Sequence, residues 1–99
     1  MAYNAMMKAV KLLDSKHAFD DGGIQELVIW ELPKPVVGSQ HHYKYRLYYG
    51  KNGQRIVGYD NERGKGDHKH IHGIQYPYTF TGLDTLVNDF LHDMKEARQ

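Results

Sequence analysis

Hydrophobic and polar positions divide the 99-residue chain into one helical stretch and several shorter alternating ones. Near the end, Leu83, Leu86, Val87, Phe90, Leu91 and Met94 recur at the i, i+3, i+4, i+7 spacing of one helix face, with Asp84, Asn88, Asp89 and Lys95 off the stripe. Thr81 followed by Asp84 resembles a capping box with Asp in place of Glu. Upstream the period drops to two. Tyr43, Tyr45, Leu47 and Tyr49 share one face of a strand, and Lys44, Arg46 and Tyr48 share the other. Asn52-Gly53 is a tight-hairpin signal, so residues 55–60 return as the next strand. The run Leu27-Val28-Ile29-Trp30, inside residues 24–32, is rich in β-formers and too short for a helix. Pro33 and Pro35 end it, because proline cannot donate to a ladder. Asp20-Asp21-Gly22-Gly23 reads as a turn, which makes residues 8–19, ambiguous alone, its hairpin partner. Residues 68–72 and 75–80 are short extended pieces, the second interrupted by Pro77. These elements predict an α+β fold: a meandering antiparallel β-sheet of four or five strands with a C-terminal amphipathic helix packed on one face. Trp30, Leu86 and Phe90 are expected to meet in its core.

At 11.5 kDa the chain is one small domain, residues 1–99, with residues 1–6 expected to be a loosely held extension ahead of Met7. The absence of cysteine removes disulfides and every Cys-based zinc module. No run approaches the roughly 18 apolar residues of a membrane span, and the start lacks the pattern of a secretory leader. The expected location is the cytoplasm, with no membrane partner. Formal charge is only +1, but it is unevenly placed. Residues 41–72 hold seven Lys or Arg against three Asp or Glu, together with five of the seven His. A basic, His- and Tyr-rich third in a neutral protein points to an anionic partner; its bland counterpart is a polar hairpin face that only solvates the fold.

The densest chemistry lies in residues 59–72. Gly64 and Gly66 flank Lys65, and glycines let backbone N–H groups approach an anion while the lysine adds charge. The spacing is not that of a Walker loop; a flexible hairpin loop is the plain alternative. His68, His70 and His72 alternate and would share a strand face. They could hold a metal, or act as general acid and base near neutral pH. Strand geometry separates alternate side chains by roughly 6.6–7 Å, which disfavours three rings on one ion, so neither metal nor cofactor is expected. Asp67 or Asp60 could orient a ring. Joined to Lys44, Arg46 and Tyr48, this set suits a phosphodiester: cations hold the phosphate and His moves protons for attack by a 2′-OH.

At the level of longer strings the chain resembles the TumE family of bacterial toxin–antitoxin toxins from Met7 to about Lys95. The resemblance rests on Met7-Lys8-Ala9, Asp21-Gly22, Val28-Ile29-Trp30-Glu31-Leu32-Pro33, Tyr43-Lys44-Tyr45-Arg46-Leu47 and Tyr59-Asp60-Asn61-Glu62. Above all it rests on Gly64-Lys65-Gly66-Asp67-His68-Lys69-His70, with Pro77-Tyr78, Phe80 and the closing helix. It implies a small toxin, a cognate helix-turn-helix antitoxin as partner, and an RNA target, with a homodimer allowed. The preferred reading is a metal-independent endoribonuclease. Lys65 and Arg46 hold phosphate, His68 and His70 serve as acid and base, and Asp67 orients a His. Lys44, Tyr43, Arg55 and Lys69 support RNA binding. The rivals are a non-catalytic module binding nucleic acid or protein through the same face, and a metal-dependent hydrolase using the His cluster. A shortage of carboxylates counts against the hydrolase.

Overall fold

Alternation along each strand decides which side chains meet the helix. In a computed structural model, which describes residues 8–99, the chain forms β1 Val10–Ala18, β2 Gly23–Glu31, β3 Tyr43–Lys51, β4 Gln54–Asp60, β5 His68–Ile71, β6 Ile74–Pro77 and α1 Leu83–Ala97. The expectation for residues 1–6 lies outside the described residues. The six strands form one antiparallel sheet in chain order, β1 to β6. The α+β architecture is the expected one. The additional strand arises because residues 68–77 fold back on themselves as the hairpin β5–β6.

That hairpin corrects one expectation. His72 does not extend the strand of His68 and His70. It sits in a two-residue turn with Gly73, at φ 49° and 83°. Positive φ at both central positions is what a primed hairpin turn demands. Asn52 and Gly53 make the same kind of turn between β3 and β4, at φ 55° and 75°.

The core lies on one sheet face. Leu27 and Ile29 of β2, Tyr45, Leu47 and Tyr49 of β3, and Val57 and Tyr59 of β4 are buried there against Leu86, Phe90 and Met94 of α1. Cross-strand partners Leu27↔Leu47 and Leu47↔Tyr59 place them in rows. Leu86, Phe90 and Met94 are spaced by one turn each, so one stripe faces β3 and β4. Trp30 is not among them, contrary to expectation. It pairs with Lys44 on the opposite face, and the Lys11 ammonium lies 4.9 Å from its ring. The helix start also differs. Gly82, not Thr81, is the N-cap, with no side-chain cap bond, so the Thr81–Asp84 box does not form.

Loops seal the end of the sheet where β3 begins. Asn61, fully buried, accepts from the Tyr45 N–H at 3.0 Å and donates to the Tyr43 carbonyl at 2.6 Å. It thereby satisfies the backbone of β3 beyond the end of β4. The loop carrying Gly38 lies directly against that carrying Gly66: a Cβ on Gly38 would fall 2.9 Å from the Gly66 nitrogen.

Candidate nucleic-acid interface

The sheet face away from α1 has no element packed on it among the described residues. Two neighbouring rows of side chains cross it. In one, Arg46 of β3 faces Asp60 of β4, and Asp60 faces His68 of β5. In the other, Tyr48 faces Gly58, and Gly58 faces His70. Because Gly58 has no side chain, Arg55 lies across it; a Cβ there would meet the Arg55 Cδ at 2.7 Å. The result is a cleft of about 320 Å³ lined by Arg46, Tyr48, Arg55, Gly58 and Asp60. Arg46 is 55% exposed, stacks its guanidinium 5.1 Å from the Tyr48 ring, and approaches Glu26 at 3.5 Å. Lys44, on the same face, donates to the Asn61 carbonyl at 3.3 Å.

The cleft ends on a buried cluster. His68 is 4% exposed. Its Nδ1–H donates to the Gly66 carbonyl at 3.0 Å, and its Nε2 lies 2.6 Å from Asp60 Oδ1. That second contact lies off the line of a hydrogen bond, since Oδ1 has no hydrogen-bond partner; neither has the buried Nδ1 of His70. The two imidazoles meet edge to face, centroids 5.3 Å apart. Burial pushes the His70 imidazole below its ordinary pKa, and the Arg55 and His68 charges push the same way against the pull of Asp60.

The other anticipated residues lie elsewhere. Asp67 lies in the bend just before β5, and its side chain is held on the other side of the sheet by its partners. Its carboxylate accepts from Ser39 Oγ at 2.8 Å, His41 Nε2–H at 2.6 Å and Tyr45 Oη at 2.8 Å, on the helix side. Asp67 orients His41; Asp60 is the carboxylate at the His68–His70 pair. Tyr43 joins a cluster with His41 and Phe80, whose rings lie 3.8 Å apart. Lys69 also faces the helix, 3.1 Å from Asp93. Lys65 is exposed in its loop and pairs with Glu62 at 3.1 Å, holding that carboxyl below the usual range. Two backbone donors beside it are already engaged: the Gly64 N–H donates to the Val37 carbonyl and the Lys65 N–H to the Glu62 carbonyl. Gly66 serves the approach of two loops, since a Cβ on it would fall 2.9 Å from the Gly38 carbonyl oxygen. Lys44, Arg46, Arg55, His68 and His70 do share the face away from α1. Of the two carboxylates that could orient a ring, Asp60 is the one beside the pair, placed there by its cross-strand pairing with His68.

Fold and site together define a small α+β protein with an uncovered, Arg- and His-bearing sheet face. Residues 8–98 match the family model described as Toxin TumE, and the chain belongs to this toxin family. A toxin of such a system implies a cognate antitoxin. No curated protein and no solved structure matches the chain. No helix among the described residues is long and apolar enough to cross a membrane.

Proposed function

We propose that this toxin acts in the cytoplasm as an endoribonuclease, using the uncovered face of its sheet. The observation that carries the proposal is that Arg46, Arg55 and Asp60 line one cleft while Asp60 is at the same time the cross-strand neighbour of His68, whose ring meets that of His70. Arg46, Arg55 and Lys44 hold the phosphate backbone, as guanidinium and ammonium donors do. The Asp60–His68–His70 cluster takes the proton of the 2′-OH, whose oxygen then attacks the adjacent phosphorus. The P–O5′ bond breaks and the cluster hands a proton to the departing O5′, leaving a 2′,3′-cyclic phosphate and a 5′-hydroxyl on the departing strand. Donors fixed in place around the phosphate stabilise the added charge at no cost in reorganisation. The antitoxin, a small helix-turn-helix protein on the family reading, would suppress activity by covering this face.

The test is cleavage of single-stranded RNA by the purified protein, with product ends identified by mass spectrometry. Arg46→Ala and His70→Gln should each lower the rate by about 10²-fold or more, while Lys65→Ala should leave it unchanged. RNA binding without cleavage would instead identify the non-catalytic module. Cleavage unaffected by Arg46→Ala and His70→Gln would remove this face from the reaction.

A further inference from the structure

The geometry points to a divalent transition-metal site formed by Asp60, His68 and His70. One potential ligand atom from each of the three lies within 4.8 Å of the other two. The third ligand is thus a carboxylate from the neighbouring strand, not His72, which the β5–β6 turn carries away. The objection from strand spacing concerns backbone separation. The His68 and His70 rings close it by leaning together to a centroid distance of 5.3 Å.

The tautomer of His68 makes the case specific. A carbonyl oxygen can only accept, so the contact with Gly66 puts the ring proton on Nδ1. Nε2 is the ring atom left to face Asp60 Oδ1, 2.6 Å away. That Oδ1 and the buried Nδ1 of His70 both lack a hydrogen-bond partner. A cation held among the three residues would give these atoms a partner. Metal-binding histidines characteristically donate their other N–H to a backbone carbonyl or carboxylate, which fixes the ring and raises its basicity. The Gly66 contact already does this for His68. Two imidazole nitrogens with one carboxylate oxygen suit a first-row ion such as Zn²⁺ rather than Mg²⁺. Three protein ligands would leave at least one coordination position for another group. For the ribonuclease reading, on which this part rests, such an ion next to Arg46 and Arg55 would acidify the 2′-OH in place of a free imidazole.

The experiment separates the site from the activity. Full-length protein freed of metal by chelator is titrated with Zn²⁺ by calorimetry, and with Co²⁺ followed by visible absorption, in the absence of RNA. The expected result is one ion per chain with a Co²⁺ spectrum of nitrogen and oxygen ligands. Asp60→Asn and His70→Gln should each weaken Zn²⁺ binding by about 100-fold or more, since even outer hydrogen-bond partners of a ligand typically cost 10–100-fold. His72→Gln and His41→Gln should bind as the parent does. Absence of stoichiometric binding by the parent, or binding that survives His70→Gln, overturns the site. A parent that binds Zn²⁺ at these residues but does not cleave RNA keeps the site and loses the ribonuclease reading. Cleavage by a parent that binds no ion does the reverse.

Discussion

Removing the Asp67 carboxylate should cost stability and spare the chemistry, because its partners lie on the helix side of the sheet. Asp67→Ala deletes an acceptor shared by Ser39, His41 and Tyr45. Tyr45 is 1% exposed, so its hydroxyl is left buried without a partner. Such a group costs about 1–3 kcal/mol. His41 borders a cleft with Gly38 and Phe80, where water can replace part of what it loses, and Ser39, half-buried, keeps its contact with Asn61 Nδ2. Roughly 0.5 kcal/mol each is reasonable for them, the low end of a net hydrogen bond. The total is about 3 kcal/mol, a substantial part of the 5–15 kcal/mol typical of a small domain. At about 4–8 °C per kcal/mol for a chain of this size, the melting temperature should fall by roughly 12–24 °C. Calorimetry of the parent, Asp67→Ala, Tyr45→Phe and the double variant closes a cycle, which should give a Tyr45–Asp67 coupling of about 1–3 kcal/mol. At a temperature where all are folded, RNA cleavage by Asp67→Ala should match the parent. Unchanged melting would refute the network; lost cleavage with the fold intact would return Asp67 to the reaction.

Phe90→Ala should destabilise by about 3–5 kcal/mol in chemical denaturation, whereas Trp30→Ala, on the uncovered face, should cost far less; equal losses would mean that the core has been assigned to the wrong face. Affinity for single-stranded RNA should fall with salt, and each of Lys44→Ala, Arg46→Ala and Arg55→Ala should reduce the slope of log K against log salt by about 0.7. Lys69→Ala, whose ammonium is paired with Asp93 on the helix side, should not. Burial, reinforced by hydrogen bonds to Asp67, Asp93 and Asp89 respectively, raises the pKa values of Tyr45, Tyr59 and Tyr78 above the ordinary phenol value of 10.0. In the unfolded chain these phenols would ionise near that ordinary value, so the folded state holds more protons above it. The stability they contribute is complete below about pH 10 and is lost as pH rises beyond it. Absorbance at alkaline pH should show these three phenols ionising together with unfolding; their smooth titration in the folded protein would contradict the burial.

What could be read from the chain was local. The helix stripe through Leu86, Phe90 and Met94, the alternation of β3 and the Asn52-Gly53 turn each depend on a few consecutive residues, and all appear in the structure. The His72-Gly73 turn was not legible in the same way, because His72 continues the alternation of His68 and His70 and so imitates a continuing strand. Thr81 and Asp84 matched a cap whose pattern does not say which residue leaves helical geometry, and Gly82 does. Tertiary structure alone decided the face of Trp30. An unbroken run such as Leu27-Val28-Ile29-Trp30 has no polar alternation to set its phase, and pairing with β3 sets it instead. The candidate site was half visible for the same reason. Charge and the His-x-His spacing marked Arg46, His68 and His70 along the chain. Asp60 joins them only through cross-strand register, opposite Arg46 on one side and His68 on the other. Pattern within a strand tells which residues share its face; only pairing between strands tells which of them touch.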